Sequence, residues 1–133
     1  MRRNTFSRNE RLKSRKRLQE VFAAKKAVFS GNIKLLFLAE NAAEGSVKCG
    51  VGLSGRYFKK AVDRNRIKRL LREAYRLQQH NLKTLASEQR KKFSVFILYT
   101  GKELPEYESA FENVGIALQK LLKPFSEGNT KNT

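Results

Sequence analysis

The stretch Lys59-Lys60-Ala61-Val62-Asp63-Arg64-Asn65-Arg66-Ile67-Lys68-Arg69-Leu70-Leu71-Arg72-Glu73-Ala74-Tyr75-Arg76 sets eight basic side chains among a few regularly spaced apolar ones. At about 100° per residue, Ile67, Leu70, Leu71, Ala74 and Leu77 fall within one arc of a helix, three and four positions apart. Such a stripe has to pack on a core. The opposite arc carries Asn65, Lys68, Arg69, Arg72 and Arg76, with Arg64 and Arg66 on its flanks and Arg56, Lys59 and Lys60 leading into it. A solvated helix face usually interleaves Glu with Lys at four-residue spacing. Here only Asp63 and Glu73 offset the positive charge. Like charges this close along a helix cost stability, so a dense arginine face implies a polyanion that neutralises it, with guanidinium forks meeting phosphate oxygens two at a time.

The charge map of the whole chain agrees. Its 133 residues hold 29 Lys and Arg against 12 Asp and Glu, a net charge of +17, and such a field draws nucleic acid or an anionic membrane. Residues 1–26 contain ten basic and two acidic side chains, and residues 56–76 contain nine and two. The remainder is nearly balanced, so two separate basic segments flank a neutral body, as a docking surface for a folded polyanion requires. Met1 to Arg17 lacks the apolar run of an export signal, and no stretch approaches membrane-spanning length. No membrane partner is expected. The lone Cys49 excludes an internal disulfide and fits a reducing cytoplasm. Alternating with Val47 and Val51, it reads as a small core residue.

One domain with a single core suits this length. Residues 1–11 are polar and basic without apolar periodicity and read as a flexible arm; residues 12–125 form the folded α/β domain, and 126–133 a disordered tail. Ser14 is placed to cap a short helix whose Leu18, Val21 and Phe22 recur at spacings of three and four. Phe29 to Glu40 reads as one extended segment with a well-buried strand at Ile33 to Leu38, and Asn41 to Ser46 supplies a turn. In Val47-Lys48-Cys49-Gly50-Val51-Gly52-Leu53, Val47, Cys49, Val51 and Leu53 face the core while Lys48, Gly50 and Gly52 line the other side. Those glycines mark either a bulge or room for another backbone to approach the sheet. If the first two strands pair, Lys34, at the parity of Leu36, projects with Lys48 into an open groove. A polar link through Lys92 precedes a third strand, Phe93 to Tyr99. Pro105 fits the first position of a last helix in which Tyr107, Phe111, Val114, Leu118, Leu121 and Leu122 cover the sheet, and Pro124 is expected to stop it. The order is helix, strand, strand, helix, strand, helix, an α+β fold with a βαβ crossover if the last two strands are parallel.

Arg64-Asn65-Arg66-Ile67-Lys68-Arg69-Leu70-Leu71-Arg72-Glu73-Ala74-Tyr75 resembles the Arg-Asn-Arg signature helix of the protein subunit of bacterial ribonuclease P, and Gly52-Leu53-Ser54 resembles the strand end leading into it. Similarity of element order runs from about Leu12 to Pro124. One position departs: where the family usually carries lysine after the serine, this chain has Gly55, followed by Arg56-Tyr57-Phe58. The resemblance implies a left-handed crossover, against the usual right-handed rule. It implies that Arg64, Asn65, Arg66, Lys68, Arg69 and Arg72 contact a catalytic RNA, and that Phe22 borders a cleft for the 5′ leader of precursor tRNA. The floor of that cleft would carry Lys34, Leu36, Lys48, Gly50 and Gly52. Mg²⁺ is then expected on the RNA partner, with the protein promoting endonucleolytic 5′ maturation of tRNA in the cytoplasm. No protein partner is implied.

Catalytic chemistry is scarce in the residues themselves. His80, at the polar end of the signature helix, has no Ser, Cys or carboxylate partner nearby in sequence and reads as a surface residue. No Cys and His spacing suits a metal. Glu103, Glu106, Glu108 and Glu112 lead into the last helix, where carboxylates favour the N-terminal dipole. No catalytic residue is assigned. Three readings follow: the protein subunit of a ribonucleoprotein enzyme, a structural RNA-binding protein such as a ribosomal component, and a self-sufficient nuclease. Scattered carboxylates count against the third, and the length of the signature match favours the first.

Overall fold

The computed structural model describes residues 15–24 and 26–131, with side chains as far as Phe125. In chain order the elements are α1 (Arg15–Ala24), β1 (Ala27–Ser30), β2 (Ile33–Asn41), β3 (Ser46–Leu53), α2 (Ala61–Gln78), α3 (His80–Gln89), β4 (Lys91–Tyr99) and α4 (Tyr107–Lys131). They build the expected α+β architecture around one four-stranded mixed sheet, ordered β1-β2-β4-β3. The basic arm of residues 1–11 and the cap at Ser14 lie outside the described residues.

β4 occupies the interior of the sheet because its sequence is apolar on both faces. Phe93, Val95, Ile97 and Tyr99 are buried on one side, while Phe96 and Leu98 are half-buried on the other. It pairs antiparallel with β2, Leu36 opposite Phe96, and parallel with β3, Gly50 opposite the same Phe96. The expected pairing of β2 with β3 is therefore replaced by an insertion of β4 between them, and β3–α2–α3–β4 is a parallel βαβ unit. A parallel partner needs a long crossover, and the basic helix belongs to it.

Two further elements differ from expectation. The extended segment from Phe29 to Glu40 is a hairpin, in which Gly31 adopts φ +56° and turns β1 back on β2 within two residues. Positive φ at the first loop position is what glycine supplies in such turns. The polar link after α2 contains a second helix, α3, whose Leu82 and Ala86 are buried. His80 opens α3 and does not end α2. Arg90, in the left-handed conformation with its N–H donated to the Ala86 carbonyl, closes α3 one residue before β4.

The main core lies on one sheet face, where Leu35, Phe37, Val47, Cys49, Phe93, Val95 and Ile97 meet Ile67, Leu71, Ala74 and Tyr75 of α2, Leu82 and Ala86 of α3, and Val114, Ala117, Leu118 and Leu121 of α4. The stripe of α2 is rotated from the one read in the sequence: Leu70 is half-buried and Leu77 exposed, while Tyr75 is buried. The cause is α4, which lies along α2. Gln78 donates to the Phe111 carbonyl at 2.9 Å and so draws the 71, 74, 75, 78 line inward. α4 itself begins at Tyr107, two residues past Pro105, and passes through Pro124 to Lys131. The expected stop at Pro124 and tail from Ser126 are thus replaced by helix as far as Lys131. Interior proline removes one helical hydrogen bond, but Phe125 packs edge-on against Phe93 and Phe37, with centroids 5.2 and 6.5 Å away. Tertiary packing of that ring holds the last turns on the sheet.

Candidate nucleic-acid interface

Among the described residues, the opposite sheet face carries only α1. Val21 is fully buried there with Leu36, and Leu18, Ala27, Leu38 and Phe96 pack around them. Arg17 ties the helix down, donating to Glu40 at the end of β2 and to Glu20, both at 2.8 Å. The hydrogen bond from Arg17 holds the Glu40 carboxyl below its ordinary range and raises the Arg17 guanidinium in turn. This tether is complete at neutral pH and weakens as the pH falls through that lowered value, when the carboxylate takes up a proton.

α1 packs on β2 and β4, so among the described residues ground remains open beside it on β3, the edge strand. Phe22 on the last turns of α1 is 44% exposed and stands edge-on to Phe96, centroids 5.3 Å apart. Phe96 lies directly over Gly52: a Cβ there would come within 2.7 Å of its ring. The missing side chain at Gly52 thus makes room for an aromatic ring, in place of the bulge or second backbone that its sequence context suggests. Lys34 and Lys48 lie on this same face, on opposite sides of β4, in register with Leu98 and Ser94. Lys48 is exposed and Lys34 half-buried. Leu36 does not line the open groove, because α1 covers it to 5% exposure. Sequence reading missed Phe96, although it falls out of phase with Phe93, Val95, Ile97 and Tyr99 and so had to face the other way.

The basic residues sit around the same β3 edge, since α2 packs beneath β3 on the core face. No side chain caps α2 at Lys60. Instead, Arg64 turns back and donates to the Phe58 and Lys59 carbonyls at 3.0 and 2.8 Å. Phe58 is buried against Tyr99, so the loop before the helix is pinned from both sides. Arg64 is therefore partly committed to shaping the site. Arg56, Lys59, Lys60, Asn65, Arg66 and Arg69 are exposed, and Lys68, Arg72 and Arg76 half-buried. Arg76 is ion-paired with Glu73, and the positive charge of Arg72 reaches Cys49. At Gly55, where the family usually has lysine, an added Cβ meets nothing within 4 Å, so the turn has space for the side chain it lacks. Burial pushes the Cys49 thiol far above its ordinary range, consistent with a core residue. Among the described residues no three His, Cys, Asp or Glu side chains converge as a metal site would need, and no helix is long and apolar enough to cross a membrane.

What the arrangement offers is an aromatic ring and two lysines above a groove, with a dense cationic helix at its edge. Such combinations of stacking surface and phosphate-neutralising charge bind single-stranded nucleic acid. The chain is 34% identical over 119 residues to the ribonuclease P protein component of Porphyromonas gingivalis, covering 88% of this chain and 83% of that one. It superposes on the RNase P protein of Thermotoga maritima with a TM-score of 0.57 at 26% identity, over 86% of this chain and 96% of the other. The Staphylococcus aureus RNase P protein shares the fold, with a TM-score of 0.53 at 19% identity over 86% and 93% of the two chains. The profile of the Ribonuclease P family matches residues 6–123, and with nearly the whole domain inside that match the chain belongs to the Ribonuclease P family.

Proposed function

We propose that the chain is the protein part of a ribonucleoprotein in which the RNA, with Mg²⁺ bound to it, hydrolyses the phosphodiester that joins the 5′ leader to tRNA. On this reading the protein side chains leave the metal to the RNA; among the described residues no three His, Cys, Asp or Glu side chains converge as ligands. Their work is binding. The exposed cations of α2 neutralise phosphates of the catalytic RNA, and the groove between α1 and β3 receives the leader of precursor tRNA. Maturation in the cytoplasm follows from that reading.

The observation that carries it is Phe22: a ring that stands edge-on to Phe96 and is still 44% exposed, on the face that holds Lys34 and Lys48. A base stacked on such a ring gains about 1–3 kcal/mol whatever its identity, which suits an enzyme serving many leaders. In the reconstituted complex, Phe22→Ala is expected to weaken leader-bearing precursor tRNA much more than mature tRNA, and Lys34→Ala with Lys48→Ala to shift the same ratio. Both affinities are measured at one salt concentration, because phosphate contacts make them salt-dependent. Equal losses for the two RNAs would remove these residues from a leader site.

A further inference from the structure

Phe29 on β1 is 56% exposed, more than any other phenylalanine among the described residues. A single apolar side chain in water calls for no explanation by itself; its surroundings do. Phe29 stands opposite Lys34 in the β1–β2 register, on the rung that continues through Leu98 to Gly52. It therefore shares the sheet face of the Phe22 groove, one rung beyond the row of Ala27, Leu36 and Phe96 that packs with α1. The Lys34 ammonium lies 5.5 Å from the centre of its ring. Counting two strand spacings and two residues along the strand, Phe29 lies about 12 Å from Phe96.

The outward backbone of this edge strand is partly occupied. Phe37 donates its N–H to the Lys26 carbonyl, so in the alternation of an antiparallel ladder Val28 and Ser30 point their polar groups at β2, and Phe29 points its own at the free edge. Lys120 of α4 donates to that outward carbonyl at 2.7 Å. A lysine set on an edge strand discourages pairing with another chain. What remains available at β1 is the ring of Phe29 with positive charge beside it.

We infer that Phe29 and Lys34 form a second stacking position for single-stranded RNA, reached by the same leader that stacks on Phe22; this rests on the leader reading above. The ring takes the base, and the Lys34 ammonium, already held at the ring, takes the adjoining phosphate. The two positions stand apart on one sheet face, Phe29 about 12 Å from the Phe96 that backs Phe22, so only a leader long enough to span that distance engages both.

The test is a series of precursor tRNAs whose leaders lengthen by one nucleotide, bound at fixed salt to the complex reconstituted with its RNA and carrying unchanged protein, Phe22→Ala, Phe29→Ala or Phe29→Trp. Phe29→Ala is expected to match the unchanged protein on short leaders and to lose about fivefold or more in affinity beyond a threshold length, which Phe29→Trp does not lose. The loss from Phe22→Ala is expected to begin at shorter leaders. If Phe22→Ala discriminates but Phe29→Ala follows the unchanged protein at every length, or weakens mature tRNA equally, the second position is overturned and the leader groove stands. If Phe22→Ala itself does not discriminate, the leader groove fails and this position falls with it.

Discussion

Freed of RNA, the chain is expected to leave precursor tRNA uncut at every Mg²⁺ concentration, and to support cleavage once recombined with the RNA of the complex. The difference is between no turnover and turnover, the largest effect anticipated for this protein. Metal-assisted hydrolysis needs ligands that fix the ion and a placed water, and no three candidate ligands converge among the described residues. Two other candidates among the described residues are poorly placed for catalysis. Cys49 is 1% exposed with its thiol proton held by burial, whereas a nucleophilic cysteine needs an accessible thiolate. His80 lies exposed at the start of α3, and among the described residues no hydroxyl or carboxylate is paired with it. Robust cleavage by RNA-free protein would defeat the ribonucleoprotein reading outright.

The second large effect separates the two faces of α2. Leu71→Ala is expected to cost about 2–5 kcal/mol of folding stability, because the side chain is fully buried and its removal leaves a cavity between helix and sheet. Folded protein that survives the change should bind RNA with unaltered salt dependence. Arg66→Ala with Arg69→Ala should do the reverse. Both side chains are exposed, so the melting transition stays in place while the slope of log affinity against log salt falls by about 1 for each phosphate that is no longer neutralised. Arg72 and Arg76 are poorer choices: one is half-buried with its charge felt at Cys49, and the other is paired with Glu73. Denaturant unfolding and a salt titration of RNA binding check both halves, and an unchanged salt slope in the double variant would mean that this face is only solvated.

These contrasts show how far the residues themselves could be read. The helix of Ile67 and Leu71, the strand of Val47 to Leu53 and the position of Phe22 were all legible, since periodicity in an amphipathic element reports which side meets the core. Leu70 and Leu77 were set too far into the core, and Tyr75 was left out of it, because periodicity fixes a stripe only to within a residue's rotation. A neighbour, here α4 through Gln78 and Phe111, decides where in that arc the contact falls. α3 went unread because its ten residues carry few apolar positions, and a helix that weak is held by Leu82 and Ala86 in the core more than by its own propensity.

By itself the sequence determined the chemistry of the surface: where the positive charge is concentrated, that the basic helix has an apolar back, that Lys48, Gly50 and Gly52 share a face, and, through the Arg64-Asn65-Arg66 signature, the family. Each of these depends on residues near one another in the chain. Only the tertiary structure decided that β4 enters between β2 and β3, which sets Lys34 and Lys48 on opposite sides of Phe96 and brings the Phe22 ring onto it. It also decided that Leu36 is sealed beneath α1 while Phe29 stays open. Strand order and register follow from the global fit of two apolar faces to helices far away in sequence, and no local pattern contains that sum.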